Sequence, residues 1–438
     1  SGPYNRINQR GPENMGWRTN ARNQNFNRDY AKLDTPGVQA VVQVINEWQP
    51  DLYLDLHVTD GVDYQYDITF GGNGKGGWSP AIGQWINEIY SPAIADSLSE
   101  FGHIPGPLVM AVNGMDMQDG YYVWNGDPRY SNGYGDARHL ATILVENHSL
   151  KPYRQRVLGT YVLLAASMEL LAEQHRSLES ATNEDMARRP ESVTLGFLPG
   201  DTIESDEIFR GIESERFEGP VSGGPAVRWK GVAEDKPVKQ VLINKSAGEV
   251  AMPSAYLVPP EWSPIAERVA MHGIAFETLA EPLTTEVEMY RLPDAQIAPP
   301  SGWTPNPFEG RIRIAPGTPE VIRLEATFPA GSIRISTDHS LAELLVLLME
   351  PAATDSFFQW GFFLELFTRT EYAEGYVMEP LAQKMLEKDP GLKADFEAKL
   401  ASDPDFAANP RQRLMWFYEK TPFYDSAYLV YPVARVPR

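Results

Sequence analysis

Cysteine is absent from the 438 residues, which removes disulfide scaffolds, thiol nucleophiles and Cys-ligated zinc or iron–sulfur sites together. Histidine is scarce, with seven in the chain, so any metal ion has to be held by a few His, Asp or Glu side chains. Positive charge is also short. Lys and Arg number 38 against 59 Asp and Glu, giving a formal charge of −21. A chain this acidic has no general attraction to nucleic acid or to anionic lipid, and neither is expected as a partner. A small local cluster of arginines that holds an anionic substrate group remains compatible with it. Long hydrophobic runs are missing as well. Apolar stretches such as 341–349 are far too short to span a bilayer.

What is present fits a globular protein of two or three domains: 42% apolar residues, 11% aromatic, with Gly 35 and Pro 36. Residues 1–30 are polar and punctuated by glycine. Val38, Val41, Val42, Ile45 and Trp48 recur with helical spacing, and Pro50 ends that helix. Residues 51–57 then alternate as a strand, and 84–101 read as a second helix. A Gly/Asn/Tyr/Asp-rich stretch over 112–136 reads as a long loop of the kind that is often functional. Residues 140–145 form a buried strand ending at Glu146, and 153–175 form a helix. Helix and strand in this alternation predict an α/β layer architecture. Residues 177–190 are polar and charged and read as a linker. From 191 to 338 short β-rich runs predict an accessory module, interrupted by a helix over 264–272. Residues 339–438 read as mostly helical, with breaks at Asp389-Pro390 and Asp403-Pro404.

The chemistry concentrates in the first 176 residues. His57 closes the strand over 51–57 and runs into Val58-Thr59-Asp60-Gly61, which places an imidazole at a strand's C-terminal edge. In open α/β sheets ligands bind along that edge. Glu146 ends a second apolar run, in Leu144-Val145-Glu146-Asn147. Upstream lie Trp17-Arg18 and Asn25-Phe26-Asn27-Arg28-Asp29-Tyr30. A lone strand-end histidine is more often a satisfied core residue, and a strand-end glutamate is usually solvated. The order of the whole set is what carries information.

In that order the residues resemble the zinc carboxypeptidase family, the carboxypeptidase A-like metallopeptidases. Pro128-Arg129-Tyr130-Ser131 and Val145-Glu146-Asn147-His148-Ser149 are similar to a bacterial branch with long C-terminal extensions. The resemblance covers about residues 1–175. It implies a mixed-sheet α/β/α domain over 1–176, incomplete at its N-terminus. That domain would be followed by the β-rich module and the helical region. It also implies one Zn2+ ion with His57 as a ligand, Glu146 as the catalytic base and Arg18 as the arginine that stabilises the transition state. Asn27 and Arg28 would hold the terminal carboxylate of a peptide substrate, and Tyr134 stands as the tyrosine that touches substrate, with Trp124 and Tyr130 as neighbours that could take its place. The implied activity is hydrolysis of the C-terminal amide bond, in an exported protein.

One departure is plain. None of the seven histidines begins the H-x-x-E motif that supplies the family's first two zinc ligands. The family order puts that motif upstream of Trp17, and the chain begins at Ser1, so it is expected to be an N-terminally truncated piece that binds zinc poorly alone. Two other readings stay open. One is an amidohydrolase of the same fold acting on N-acyl amino acids or peptidoglycan peptides. The other is a non-catalytic protein that binds carboxylates, peptides or carbohydrate.

Overall fold

The structure is a computed structural model that describes residue 16 and residues 18–114, 116–298, 310–369 and 372–438. Its first half is a mixed α/β layer. Thr35 caps helix α1 (Pro36–Trp48) by accepting from Val38 N–H, and Pro36 presets the first turn. Gln49 in a left-handed conformation ends it. The chain then enters β1 (Leu52–Val58), followed by β2 (Ile68–Gly71). Helices α2 (Pro80–Trp85) and α3 (Ser91–Glu100) run on through one π-type turn at Ile86–Tyr90. Pro92, with no N–H and a ring that crowds the preceding turn, accounts for that widening.

Strands β3 (Pro105–Pro107), β4 (Met110–Asn113) and β5 (Asp116–Val123) follow, then helix α4 (Ser131–Ala137) and strand β6 (Ala141–Asn147). The stretch over 112–136, expected to be a loop, therefore holds β5 and most of α4. Gly126, Gly133 and Gly135 sit where a Cβ would collide with neighbouring atoms. A Cβ on Gly135 would overlap the Thr142 side chain, so glycine lets α4 lie directly against β6.

The central sheet has the order β1-β6-β2-β3, with β1 and β6 parallel and β2 antiparallel to β6. One face carries Ala141, Ile143 and Val145 of β6 into a core with Ile94, Leu98, Leu163 and Leu178, and Leu52 and Leu54 of β1 pack against it. Helix α5 (Tyr153–Ala187) covers this face. The residues expected to be a linker, 177–187 in particular, are the last turns of α5. Polarity misled there, because Leu178 and Asp185 are buried. The Asp185 carboxylate accepts from Ala81 and Ile82 N–H at 3.2 and 2.8 Å and so caps α2 from a distance.

The second half is β-rich and then helical. After β7 (Ser192–Thr194) come two strands of 22 residues each, β8 (Phe197–Glu218) and β9 (Pro225–Ser246), far longer than the short runs read from the sequence. This ribbon joins the β4–β5 hairpin in a second sheet, ordered β4-β5-β9-β8. A six-stranded antiparallel sheet follows, and the chain's last strand, Ala434–Val436, pairs in its middle between 255–258 and 283–291. Helix Ala342–Met349 is buried along its whole length. Phe357, Phe358, Trp360 and Phe363 join the core beside it. Three later helices each start at an Asp or Asn cap followed by proline, at Asp389, Asp403 and Asn409. No helix among the described residues is long and apolar enough to cross a membrane.

The remote cap gives a direct test. Asp185→Ala should lower unfolding stability by about 1–2 kcal/mol, with Asp185→Asn recovering part of it. Urea denaturation reads this out, and an unchanged midpoint in the alanine variant would return 177–187 to a dispensable tail.

Candidate active site

Parallel pairing sets the site. β1 and β6 run in register from Leu52 opposite Ala141 to Val58 opposite Asn147, so His57 sits opposite Glu146 near both C-terminal ends. Alternation sends Leu52 and Leu54 to the helix-covered face and Tyr53, Asp55 and His57 to the other. On that second face Asp55 accepts a bond from His57 Nε2 at 2.8 Å. A carboxylate only accepts, so the proton sits on Nε2 in the neutral ring. The lone pair is then on Nδ1, which faces Glu146 Oε1 at 4.0 Å.

Burial governs the charges. Desolvation raises Glu146 to about 7; His57 opposes it, Asp60 and Asp55 push further upward, and Arg18 pulls down. The other carboxylate oxygen of Glu146, Oε2, is buried and takes no hydrogen bond among the described residues. Burial pulls the His57 imidazole down, but the bond and charge of Asp55, with the charge of Glu146, outweigh it and leave the ring raised. Asp55 moves oppositely. Burial raises it, while the His57 bond and charge and the neighbouring Ser131 hydroxyl bring it below the usual range.

Arg18 lies close enough for its charge to act on both His57 and Glu146. Trp17, its partner in the sequence pattern, lies outside the described residues. Asn27 and Arg28 sit in the short 3-10 turn Phe26–Arg28. Asp29 anchors that turn by accepting from Asp34 N–H, Thr35 N–H and the Thr35 hydroxyl. The Tyr30 hydroxyl bonds Tyr53 on β1 at 2.6 Å, which lays this segment over the His57 face. The Arg28 carbonyl accepts from Lys32, whose ammonium is buried over the Trp360 ring. The Arg28 guanidinium itself stacks 4.4 Å from the Tyr130 ring centre.

Tyr134 is placed elsewhere. Helix α4 turns it into the core, packed on Tyr30, with its hydroxyl 3.0 Å from His272 Nδ1 and accepting from Arg138. Only 1% of it is exposed, so it has no surface for a substrate. Tyr130 is the tyrosine that meets Arg28, and Trp124 packs edge-on against Tyr130. Asp55 also belongs to the site, and alternation could have found it, because a residue two before His57 on a strand shares its face. His148, two beyond Glu146, is buried, accepting from Leu150 N–H with Nδ1 and facing Asp63 at 3.6 Å with Nε2.

The fit to a metal ion can be judged from these atoms. His57 Nδ1 offers a lone pair, and Glu146 Oε2 is an orphaned acceptor beside it. No group of three or more His, Asp or Glu side chains among the described residues could hold a metal ion. The described residues thus fit one coordination position and do not complete a site.

At the paired strand ends a carboxylate raised by burial thus faces an oriented imidazole, and the charge of Arg18 reaches both. Comparison with known proteins adds a distant link. Over 109 residues the chain is 27% identical to Carboxypeptidase 2 of Trichophyton tonsurans, a stretch covering 25% of this chain and 19% of that protein. The chain thus spans about a fifth of the length of the relative it matches. No protein-family profile matches the chain, and no solved structure does.

Because burial holds Glu146 above its ordinary 4.5, the folded chain binds its proton more tightly than the unfolded chain does. Stability should therefore fall as pH rises from about 4.5 through 7, by at most roughly 3 kcal/mol. Glu146→Gln removes that loss, so it should gain on the wild type at pH 8 relative to pH 4.5. Urea midpoints across this range test it, and parallel curves for the two proteins would contradict the burial of Glu146.

Proposed function

We propose that the protein is an exported metallocarboxypeptidase that hydrolyses the C-terminal amide bond of peptides carrying a free α-carboxylate. The observation that carries this reading is the register of His57 against Glu146, which puts a carboxylate of raised proton affinity against the open nitrogen of an oriented imidazole. The distant similarity to a carboxypeptidase supports it from a separate direction.

In this reading Glu146 takes a proton from the attacking water and delivers it to the leaving amine. A carboxylate that titrates near neutrality is suited to both halves of that transfer. Arg18 faces the carbonyl oxygen as it gains charge, where one lost donor costs about 3–4 kcal/mol. Arg28, with the Asn27 amide beside it, grips the terminal carboxylate through two parallel N–H bonds. Tyr130 supports the guanidinium from behind. Asp55 keeps His57 in the tautomer that leaves Nδ1 free. Zinc, when bound at His57 Nδ1 and at ligands outside the described residues, would supply Lewis-acid polarisation of the scissile carbonyl.

Two variants separate the roles. Glu146→Gln keeps the shape of the side chain and one acceptor oxygen, so it should retain peptide binding while losing about 10²–10⁴-fold in kcat. Arg28→Ala should raise KM for free-acid peptides and leave amidated peptides nearly unchanged, since those lack the partner carboxylate. Steady-state kinetics on both substrate series decides it. Near-normal kcat in Glu146→Gln, or equal damage to both substrates in Arg28→Ala, would leave the site as a carboxylate-binding pocket without this chemistry.

A further inference from the structure

The long ribbon makes little use of its own length for packing. Of the 22 residues in β8, only Phe209 and Gly211 are buried. Both lie against the segment that follows β1. Gly211 forms an isolated bridge with Tyr64, Gln65 N–H donates to the Arg210 carbonyl at 2.9 Å, and Arg210 N–H donates to the Tyr66 hydroxyl at 3.1 Å. Gln65 Nε2 adds bonds to the Gly211 carbonyl and to Asp235 on β9. The ribbon is thus stitched from both of its strands to one short loop.

Phe209 is the apolar centre of that seam. Its ring meets Tyr64, Tyr66 and Tyr121 at centroid distances of 6.2, 5.4 and 5.8 Å. Together with Val62, Met117 and Val238 they form a small core separate from those of the main sheet. Tyr64 leads from this core to the site. Its ring stands edge-on to His148 at 4.5 Å, and its phenol is near enough to Glu146 to feel that charge. His148 lies two residues beyond Glu146, and its backbone N–H donates to the Asp67 carbonyl of the same loop.

We propose that Phe209 is a positioning residue for the Glu146–His57 pair, acting through Tyr64 and His148, so that the β8–β9 ribbon is a structural part of the active site. This rests on the hydrolytic reading of the site. An aromatic ring pressed on Tyr64 fixes the loop that backs the end of β6, and supporting contacts of this kind hold a reacting group to a fraction of an ångström.

The test uses protein labelled with 15N on histidine and the variants Phe209→Ala, Phe209→Leu and Gln65→Ala. In Phe209→Ala the ring signals of His148 and His57 should both shift. Phe209→Leu, which keeps most of the apolar bulk, should restore most of the shift. Turnover should follow the same order, with kcat down about tenfold in Phe209→Ala and KM within about twofold. In a Glu146→Gln background Phe209→Ala should cost nothing further, because both act on the same group. Gln65→Ala, which cuts side-chain bonds without emptying a core, should move the same signals to a smaller extent, and it decides the matter if Phe209→Ala does not fold. Folded variants with unmoved His57 and His148 signals would overturn the proposal. If the signals respond while the wild type cleaves no C-terminal peptide bond, the positioning stands and the reaction assigned to the site falls.

Discussion

The parallel register between β1 and β6 is the constraint on which the rest of this site depends. Side chains alternate along both strands, so one register places Leu52, Leu54, Ala141, Ile143 and Val145 toward the helices and His57 and Glu146 away from them. A slip of one residue would turn Glu146 into the helix-packed core. The apolar side holds the register. Each fully buried aliphatic side chain is worth about 1.5–3 kcal/mol, and several act together. Against that stands the cost of drying the Glu146 carboxylate, which lifts it to about 7 and amounts to roughly 3 kcal/mol once it is ionised. The core wins this balance, and the site is where its cost is concentrated.

The electrostatics follow from the same placement. In a chain of net charge −21, Arg18 brings positive charge to His57 and Glu146, while the buried Lys32 bonds the Arg28 carbonyl. Asp29 and Tyr30 hold the turn bearing Arg28 over that face, through bonds to Thr35 and Tyr53. Asp55 sets which imidazole nitrogen is open, and Ser131 at the start of α4 adds to the polar surround of Asp55. The Asp136 carboxylate fixes α4 in turn by accepting from Asn73 and from the backbone of Trp78 and Ser79, each at 2.9 Å. The His57–Glu146 pair at two strand ends is thus supported by three separate segments, none of them contiguous in sequence.

Local period made part of this legible. Alternation over 51–57 and the apolar run before Glu146 give both strands and both strand-end residues, and the α/β order follows from the elements between them. Tertiary contacts hid the rest. Residues 177–187 look like a solvated linker because the buried contacts of Leu178 and Asp185 are to α2 and the sheet core. Tyr134 and Tyr130 are equivalent in a sequence, since only the direction of α4 decides which enters the core. The 22-residue strands were unreadable because the ribbon is mostly exposed and so lacks an apolar stripe. Phe209 carries no sequence signal at all; its aromatic partners are about 90 to 145 positions earlier in the chain.

A structure of the protein in complex with a slowly hydrolysed peptide bearing a free C-terminus tests the central claim most directly. The terminal carboxylate is expected to pair with the Arg28 guanidinium beside Asn27, and the scissile carbonyl to lie on the His57 face of β1, with a Glu146 oxygen within hydrogen-bond reach of the attacking position. A peptide bound with its carboxylate on another surface, or with Glu146 turned away from its scissile bond, would contradict it.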